Sequence, residues 1–217
     1  MLGFSSYEGY KDSDIKWIEE IPECWIIKKL GNLLSSYSEK NQPDLQLLSI
    51  TREQGVILRD TSDSSTNHNF IPDDLSGYKI VKAGQFAMNK MKAWQGSYGV
   101  SQYTGIVSPA YFIFNFKLDV DSDFFNQAIR SKLYVYFFGS ASDGVRIGQW
   151  DLSQIRMREI PFILPPLAEQ KAIASFLDEK TAQIDEGVVN YQEQIDKLKE
   201  YRTTLINSAV TGKIKVV

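Results

Sequence analysis

The stretch PPLAEQKAIASFLDEKTAQIDEGVVNYQEQIDKLKEYRTTLINSAVTG, residues 165–212, decides the architecture of the chain. Pro166, at a first helical turn with Glu169 close behind, is a helix start signal. Gly212 is a stop signal, because glycine readily adopts the left-handed conformation that ends helices. No proline lies between Pro166 and Gly212. The stretch therefore predicts one helix of about 44 residues, roughly 65 Å long at about 1.5 Å per residue.

The apolar residues of this helix recur in steps of three, four and seven, which is the spacing of a coiled-coil seam. A four-residue stutter falls between Ile184 and Val188, next to Gly187. The helix is longer than a small domain is wide, so its seam needs a second long helix. We expect an antiparallel homodimer with an interface formed by Ile173, Leu177, Ile184, Val188, Tyr191, Ile195, Leu198 and Leu205. The alternative is a helix that folds back on itself as a hairpin at Gly187.

The sequence upstream of the helix predicts a globular domain that contains strands. Short runs of β-branched and aromatic residues punctuated by glycine, such as residues 45–59 and 98–116, are typical of strands. The fold class that follows is α+β. We expect a mixed-strand domain over residues 1–163, followed by a long coiled-coil-forming α-helix and a C-terminal tail over residues 164–217.

One further helix is predicted within the globular domain. Residues 122–138 fit a single helix that Asp121 or Ser122 caps. The apolar face of this helix would be formed by Phe125, Ile129, Leu133 and Tyr136. Residues 1–25 and 139–155 are rich in breakers and turn residues, so they are expected to be irregular.

The composition limits the class of protein. Hydrophobic residues make up 43% of the chain, which is enough to bury a core. The single cysteine, Cys24, excludes an internal disulfide. No apolar run approaches the roughly 18 residues that cross a bilayer. We therefore expect a cytoplasmic protein with no membrane partner.

The sequence lacks the motifs of an enzyme. The one histidine, His68, lies in a Ser- and Asn-rich stretch, and one histidine with one cysteine does not make a zinc site. Neither a phosphate-binding loop nor the glycine-rich loop and Asn-Pro-Pro-aromatic motif of amino-methyltransferases is found. We expect no catalytic residue, no metal and no cofactor. A self-contained methyltransferase or nuclease stays open as an alternative.

Basic residues are concentrated in one part of the chain, although the net charge is −3. No acidic residue lies between Asp74 and Asp119. The lysines in this window are Lys79, Lys82, Lys90, Lys92 and Lys117. Lysines attract phosphates, which dominate the affinity of proteins for DNA. The competing explanation is a buried, strand-rich core with lysines at its edges.

Five segments, in order along nearly the whole chain, carry a family resemblance. They are Tyr10–Trp25 (YKDSDIKWIEEIPECW), Phe86–Ser101 (FAMNKMKAWQGSYGVS), Gly105–Pro109 (GIVSP), Gly144–Arg146 (GVR) and Ile160–Asp185 (IPFILPPLAEQKAIASFLDEKTAQID). Together they resemble the specificity subunit of type I restriction–modification systems. Any one of them alone would be a weak signal, whereas the ordered set is specific.

The resemblance implies a subunit that reads double-stranded DNA without catalytic residues of its own. Such subunits hold two N6-adenine methyltransferase subunits on a bipartite site, and restriction subunits can be added. A full-length member has two target-recognition domains and two antiparallel helices. This sequence has one of each and so resembles a half-length form, whose domain over residues 1–163 would recognise the target. It is left open whether the chain works alone, as a homodimer or as part of a longer gene product. A structural coiled-coil adaptor for protein partners is the rival function.

Candidate DNA contacts follow from residue type and placement. Lysine suits phosphates, whereas arginine and glutamine suit base edges in the major groove. The predicted DNA-binding residues are Arg52, Arg59, Lys90, Lys92, Gln95, Tyr98, Gln102, Tyr103, Arg146 and Gln149. The polar stretch Asn67–Asn69 is a further candidate. The alternative for the motif around Lys90 is that Met88, Met91, Trp94 and Tyr98 pack in the core.

Overall fold

A computed structural model describes residues 6–15, 17–60, 71–146 and 149–216. Contacts within the chain divide it into two compact units, Met1–Ala172 and Ile173–Val217. The first is a mixed α/β unit, and most of the second belongs to one long helix. A mixed α/β part with a long C-terminal helix confirms the coarse fold prediction. The functional boundary at residue 163 stays a prediction.

The N-terminal segment is not irregular, contrary to the prediction. Strand β1 (Tyr10–Ile15) pairs antiparallel with β2 (Ile18–Pro22), with a break in register between Asp12 and Ile15. Asp14 adopts a positive φ of 56° at this break. The hairpin could not be predicted from the sequence. Its first strand is almost wholly polar and exposed, so this strand has no alternating apolar pattern.

The main sheet of the first unit has four antiparallel strands in the order β4-β11-β8-β9. These strands are β4 (Leu34–Tyr37), β11 (Phe112–Phe116), β8 (Phe86–Met88) and β9 (Tyr98–Val100). All three residues of β8 are buried. A strand buried on both faces explains why this run reads as continuously apolar rather than alternating.

The remaining strands form antiparallel pairs. The pairs are β3 (Ile26–Lys29) with β14 (Pro161–Leu164), β5 (Leu48–Thr51) with β6 (Gly55–Leu58), β7 (Lys79–Val81) with β10 (Gly105–Val107), and β12 (Ser142–Arg146) with β13 (Gln149–Leu152). Two short helices, α1 (Leu30–Leu33) and α4 (Gln154–Glu159), lie between them in sequence. The hairpin β12–β13 and the first residues of α4 occupy the region that was predicted to be loop.

An aromatic cluster forms the centre of the first unit. The ring of Phe86 on β8 packs edge-to-face on Phe125, with centroids 5.2 Å apart. Phe125 in turn stacks on Phe162 of β14, with centroids 4.9 Å apart. All three rings are fully buried. The cluster therefore joins the main sheet, the helix that carries Phe125 and the strand that precedes the long helix.

The predicted helix over residues 122–138 is two helices. Helix α2 (Ser122–Ile129) is capped by Asp121, whose Oδ1 accepts the backbone N–H of Phe124 at 2.9 Å. Helix α3 (Lys132–Ser140) follows after a break. The buried aromatic residues of α3 are Tyr134 and Phe138, whereas the predicted Tyr136 is 55% exposed. The break at residues 130–131 shifts the helical register, so the predicted face is wrong at Tyr136, whereas Leu133 is half-buried.

The long helix α5 (Leu167–Val210) has the predicted length and is uninterrupted. It passes Gly187 without a turn, so the hairpin alternative is wrong. The chain leaves the helix at Gly212, whose φ is +70°. At its start, the buried Gln170 donates to the carbonyl of Pro165 at 2.8 Å and accepts the N–H of Asp121 at 2.9 Å. Among the described residues, no helix is both long and apolar enough to cross a membrane.

Close packing around Gly105 explains why the GIVSP motif begins with glycine. A Cβ built on this residue would lie 2.5 Å from the carbonyl oxygen of Gln46 and 2.8 Å from Cγ of Leu48. Backbone oxygen cannot yield in the way that the end of a long side chain can. The glycine of the GIVSP motif is therefore needed where β10 meets the segment before β5.

We expect Gly105→Ala to lower the free energy of unfolding by about 1–3 kcal/mol, because an added methyl group overpacks this contact. The matched control is Gly77→Ala, since a Cβ there meets no atom within 4 Å. Chemical denaturation monitored by circular dichroism measures both variants. Equal stability of the two variants would contradict the close-packing argument.

Candidate nucleic-acid interface

The loop that joins β8 to β9, residues 89–97, is ordered by its own hydrogen bonds. The side-chain oxygen of Asn89 accepts the N–H of Met91 at 3.1 Å, and the carbonyl of Asn89 accepts the N–H of Lys92 at 3.0 Å. One 3₁₀ turn, Ala93–Gln95, follows and ends at Gly96, whose φ is +92°. The 89–97 loop is therefore a compact structure that presents Lys92 to solvent.

The hairpin β12–β13 lies against the 89–97 loop. Trp150 of β13 stacks on Trp94 of the loop, with ring centroids 5.1 Å apart and 21° between the planes. The ammonium of Lys90 lies 3.1 Å from a carboxylate oxygen of Asp151. The N–H of Leu152 donates to the carbonyl of Lys90 at 3.2 Å. The loop and the hairpin thus form one continuous surface.

The turn between β5 and β6 reaches the same loop. A Cβ on Gly96 would lie 3.9 Å from Cγ of Arg52. Arg52 is exposed and pairs with the carboxylate of its neighbour Glu53 at 2.9 Å. Arg130 holds the turn by donating hydrogen bonds to the carbonyls of Arg52 and Glu53 at 3.1 and 2.7 Å.

Positive charges meet around Tyr111 of the segment before β11. The ammonium of Lys79 donates to the carbonyl of Tyr111 at 2.7 Å. Burial and the repulsion of Lys40 and Lys90 lower the pKa of Lys79. Burial raises the pKa of Tyr111, and the charge of Arg59 opposes that rise. We call Lys40, Lys79 and Lys90 the lysine cluster. Mutual repulsion within such a cluster favours the binding of an anion.

The predicted DNA-binding residues are brought together only in part. Lys90, Lys92 and Gln95 lie on the 89–97 loop, and Arg52 lies beside it. Gln102 and Tyr103 are exposed but follow β9, at the end opposite to that loop.

Arg59 follows β6, and its N–H donates to the carbonyl of Leu47 at 2.9 Å. It lies at the opposite end of its hairpin from Arg52, and its charge lowers the pKa of Tyr111 against the effect of burial.

Tyr98 lies in the core and is not at the surface. Its ring packs on Phe138 with centroids 4.4 Å apart and on Phe86 at 6.0 Å. Burial raises the pKa of its phenol, and its hydroxyl has no hydrogen-bond partner among the described residues. The core-packing alternative therefore holds for Tyr98, because a fully buried ring has no surface to offer to DNA.

Other predicted contacts lie outside the described part of the chain. This applies to Asn67–Asn69, with His68, and to the side chains of Arg146 and Gln149. The backbone of the last two belongs to β12 and β13.

Sequence reasoning missed several residues of this surface. Lys79 was noted within the acid-free window but was not assigned to the site, and Lys40 lies outside that window. Arg130 was placed inside a helix, so its reach towards Arg52 could not be foreseen. Trp150 lay in a segment predicted to be loop. The spacing of these residues in sequence carries no signal of their proximity.

The described residues hold no group of three His, Cys, Asp or Glu side chains suited to a metal ion. Besides the carboxylates of Glu53 and Asp151, they present ammonium, guanidinium, amide and indole groups at this surface. Such groups bind phosphates, base edges and the flat faces of sugars or bases.

The residues of the predicted seam lie on α5. Ile173 and Leu177 are half-buried. The exposed seam residues are Ile184, Val188, Tyr191, Ile195, Leu198 and Leu205. An apolar stripe of this length is unusual on the surface of a monomer. Coiled-coil pairing stays a prediction.

Comparison with known proteins gives a consistent answer. Residues 110–195 match the family described as Type I restriction modification DNA specificity domain. One similar solved chain, from work on complex assembly and conformational transition of the type I R-M system, has a TM-score of 0.56 at 12% identity and is matched over 87% of this chain and 46% of its own length. At that identity the likeness concerns the fold.

Two curated relatives from Escherichia coli agree. The EcoKI specificity subunit of the type I restriction enzyme (strain K12) is 32% identical over 112 residues, which is 52% of this chain and 22% of the relative. The EcoBI specificity subunit is 38% identical over 63 residues, which is 29% of this chain and 13% of the relative. The matches thus span only a fraction of these relatives. Residues 110–195 thus carry a match to the type I restriction modification DNA specificity domain, and the chain is similar over part of its length to two type I specificity subunits.

Proposed function

We propose that the chain recognises a DNA sequence as the specificity subunit of a type I restriction–modification complex. The observation that carries the proposal is the overlap between the domain match and the candidate interface. Residues 110–195 include Tyr111, Arg130 and the hairpin β12–β13. These are the elements that border or support the 89–97 loop and the lysine cluster.

The mechanism is one of placement. The lysine cluster and Lys92 bind phosphates, which fixes the register of the protein on the duplex without sequence preference. Arginine and glutamine side chains such as Arg52 and Gln95 contact base edges in the major groove. An N6-adenine methyltransferase subunit, carried by the complex, flips the target adenine out of the stack and methylates it. Restriction subunits can join the same complex.

In this proposal the chain supplies recognition, and its partner supplies catalysis. The domain over residues 1–163 reads a half-site, and the long helix, with the tail to residue 217, pairs with a second long helix. Pairing covers the exposed stripe from Ile184 to Leu205. A two-fold antiparallel homodimer would place identical recognition domains at opposite ends of the helix pair.

The first test is the methylation motif in a host that expresses the chain with its adenine methyltransferase. We expect two identical short half-sites separated by unspecified base pairs, because a two-fold dimer imposes its symmetry on the target. Helices of roughly 65 Å allow a separation of at most about two turns of B-DNA. Sequencing that detects N6-methyladenine reads the motif directly.

Two results would count against this proposal. An asymmetric motif would show a second, different recognition domain and exclude the homodimer. A methyltransferase that stays active in the presence of the chain but methylates no defined motif would favour a coiled-coil adaptor for protein partners.

We expect Lys92→Ala to weaken binding to all duplexes by a similar factor and to reduce the slope of log affinity against log salt by about 0.9, the loss of one phosphate contact. The control is Lys29→Ala, which removes the same charge from β3, where the ammonium pairs with Glu159. Fluorescence anisotropy over a series of salt concentrations measures both. A changed sequence preference in Lys92→Ala would assign this lysine to base contact instead.

We expect Leu198→Asp to weaken self-association at least tenfold, because pairing would bury an unpaired carboxylate. Thr203→Asp is the matched control, since it adds the same charge roughly 140° around the helix at about 100° per residue. Analytical ultracentrifugation should report about twice the chain mass for the wild type and for the control. A monomeric wild type at micromolar concentration would overturn the homodimer.

A further inference from the structure

The guanidinium of Arg130 donates hydrogen bonds to backbone carbonyls of two separate segments. It follows the last residue of α2, and its Nη1 donates to the carbonyl of Tyr98 at 2.8 Å. Its Nη2 donates to the carbonyls of Arg52 and Glu53. The side chain is half-buried. An arginine used in this way fixes the backbone, and its charge also interacts with that of Glu53.

The segment that Arg130 holds is the tip of the hairpin β5–β6. Thr51 pairs with Gly55, so residues 52–54 form a three-residue loop. Gly55 has a φ of +75°, which is the left-handed residue that such loops require. A Cβ on Gly55 would lie 2.8 Å from Nη1 of Arg130. The glycine therefore closes the turn and also admits the guanidinium.

The tip presents two side chains that suit base recognition. Arg52 and Gln54 are both exposed. Arginine makes paired hydrogen bonds to guanine, and glutamine makes them to adenine. The ion pair of Arg52 with Glu53 is solvent-exposed, so it holds the guanidinium only weakly and a base can replace it. Arg52 also lies beside Gly96 of the 89–97 loop, where phosphate contacts are proposed.

We propose that the Arg52–Gln54 tip is a base-contacting element and that Arg130 is its positioning residue. This inference rests on the proposed function and names the part of the site that discriminates between sequences. Paired hydrogen bonds to a base edge demand a fixed approach, which an exposed three-residue loop does not have by itself. Arg130, at the rigid end of α2, supplies this fixed approach through its hydrogen bonds to the carbonyls of Arg52 and Glu53.

Asn126 offers a matched control for Arg130. It lies four residues earlier on α2, and its Oδ1 accepts the N–H of Val100 at 3.0 Å. Asn126 and Arg130 thus both hold β9, which is the edge strand of the main sheet. Of the two, Arg130 also holds the tip. A variant of Asn126 therefore reproduces the loosening of β9 without releasing the tip.

The test measures the ratio of affinities for two duplexes, one with the motif that the wild type directs to methylation and one with that motif scrambled. Arg130→Lys keeps the charge but loses the guanidinium fork. We expect it to lower the ratio by about tenfold or more and to leave affinity for the scrambled duplex unchanged. Asn126→Ala should keep the wild-type ratio. Arg52→Ala, at an exposed position that leaves the backbone contacts of Arg130 intact, should lower the ratio as Arg130→Lys does.

Three results would overturn the inference, and the third would also overturn the proposed function. A wild-type ratio in Arg130→Lys, or in Arg52→Ala if the first variant fails to fold, overturns the inference while the proposed function stands. An equal loss in Asn126→Ala assigns the effect to β9 and overturns the positioning role. A wild type that shows no preference for any duplex overturns both the inference and the proposed function.

Discussion

Burial of the aromatic cluster around Phe125 is the interaction on which the rest of the first unit depends. Phe125 contacts Phe86 of the main sheet on one side and Phe162 of β14 on the other. The same helix, α2, is followed by Arg130 at the tip of the hairpin β5–β6. Rings of this size contribute several kcal/mol each when buried. The cluster therefore fixes the position of α2, and α2 fixes the elements of the candidate interface.

The features that could be predicted from sequence are those that nearby residues determine. Helix α5 follows from a start signal, a stop signal and a repeated apolar spacing, all of which act within one or two turns. The cap at Asp121 is local in the same way. The break at residues 130–131 is not, since the run SDFFNQAIRSKLYVYFF contains no proline or glycine. The chain departs from one helix there as Tyr134 and Phe138 turn into a core that distant strands complete.

The candidate site could likewise be predicted only where nearby residues determine it. The acid-free window pointed to the lysines, because charge composition is visible along the chain. It could not separate Lys92, which is exposed, from Tyr98, which is in the core six residues later. A strand that begins at Tyr98 and is covered by α3 makes the difference, and that contact is formed by residues about 40 positions apart. Motif residues of both kinds thus stand side by side in sequence with different roles.

The distribution of charge reconciles an acidic chain with the proposed recognition of DNA. The net charge of −3 is a sum over the whole sequence, whereas a duplex responds to the potential within about a Debye length of its phosphates. Acidic residues are numerous on the hairpin β1–β2 and on α5, outside the window between Asp74 and Asp119. Lys79 and Lys90 of the lysine cluster belong to that window, and Asp151 partly neutralises Lys90. In the proposed function, the lysine cluster attracts the phosphates of a duplex even though the net charge of the chain is negative.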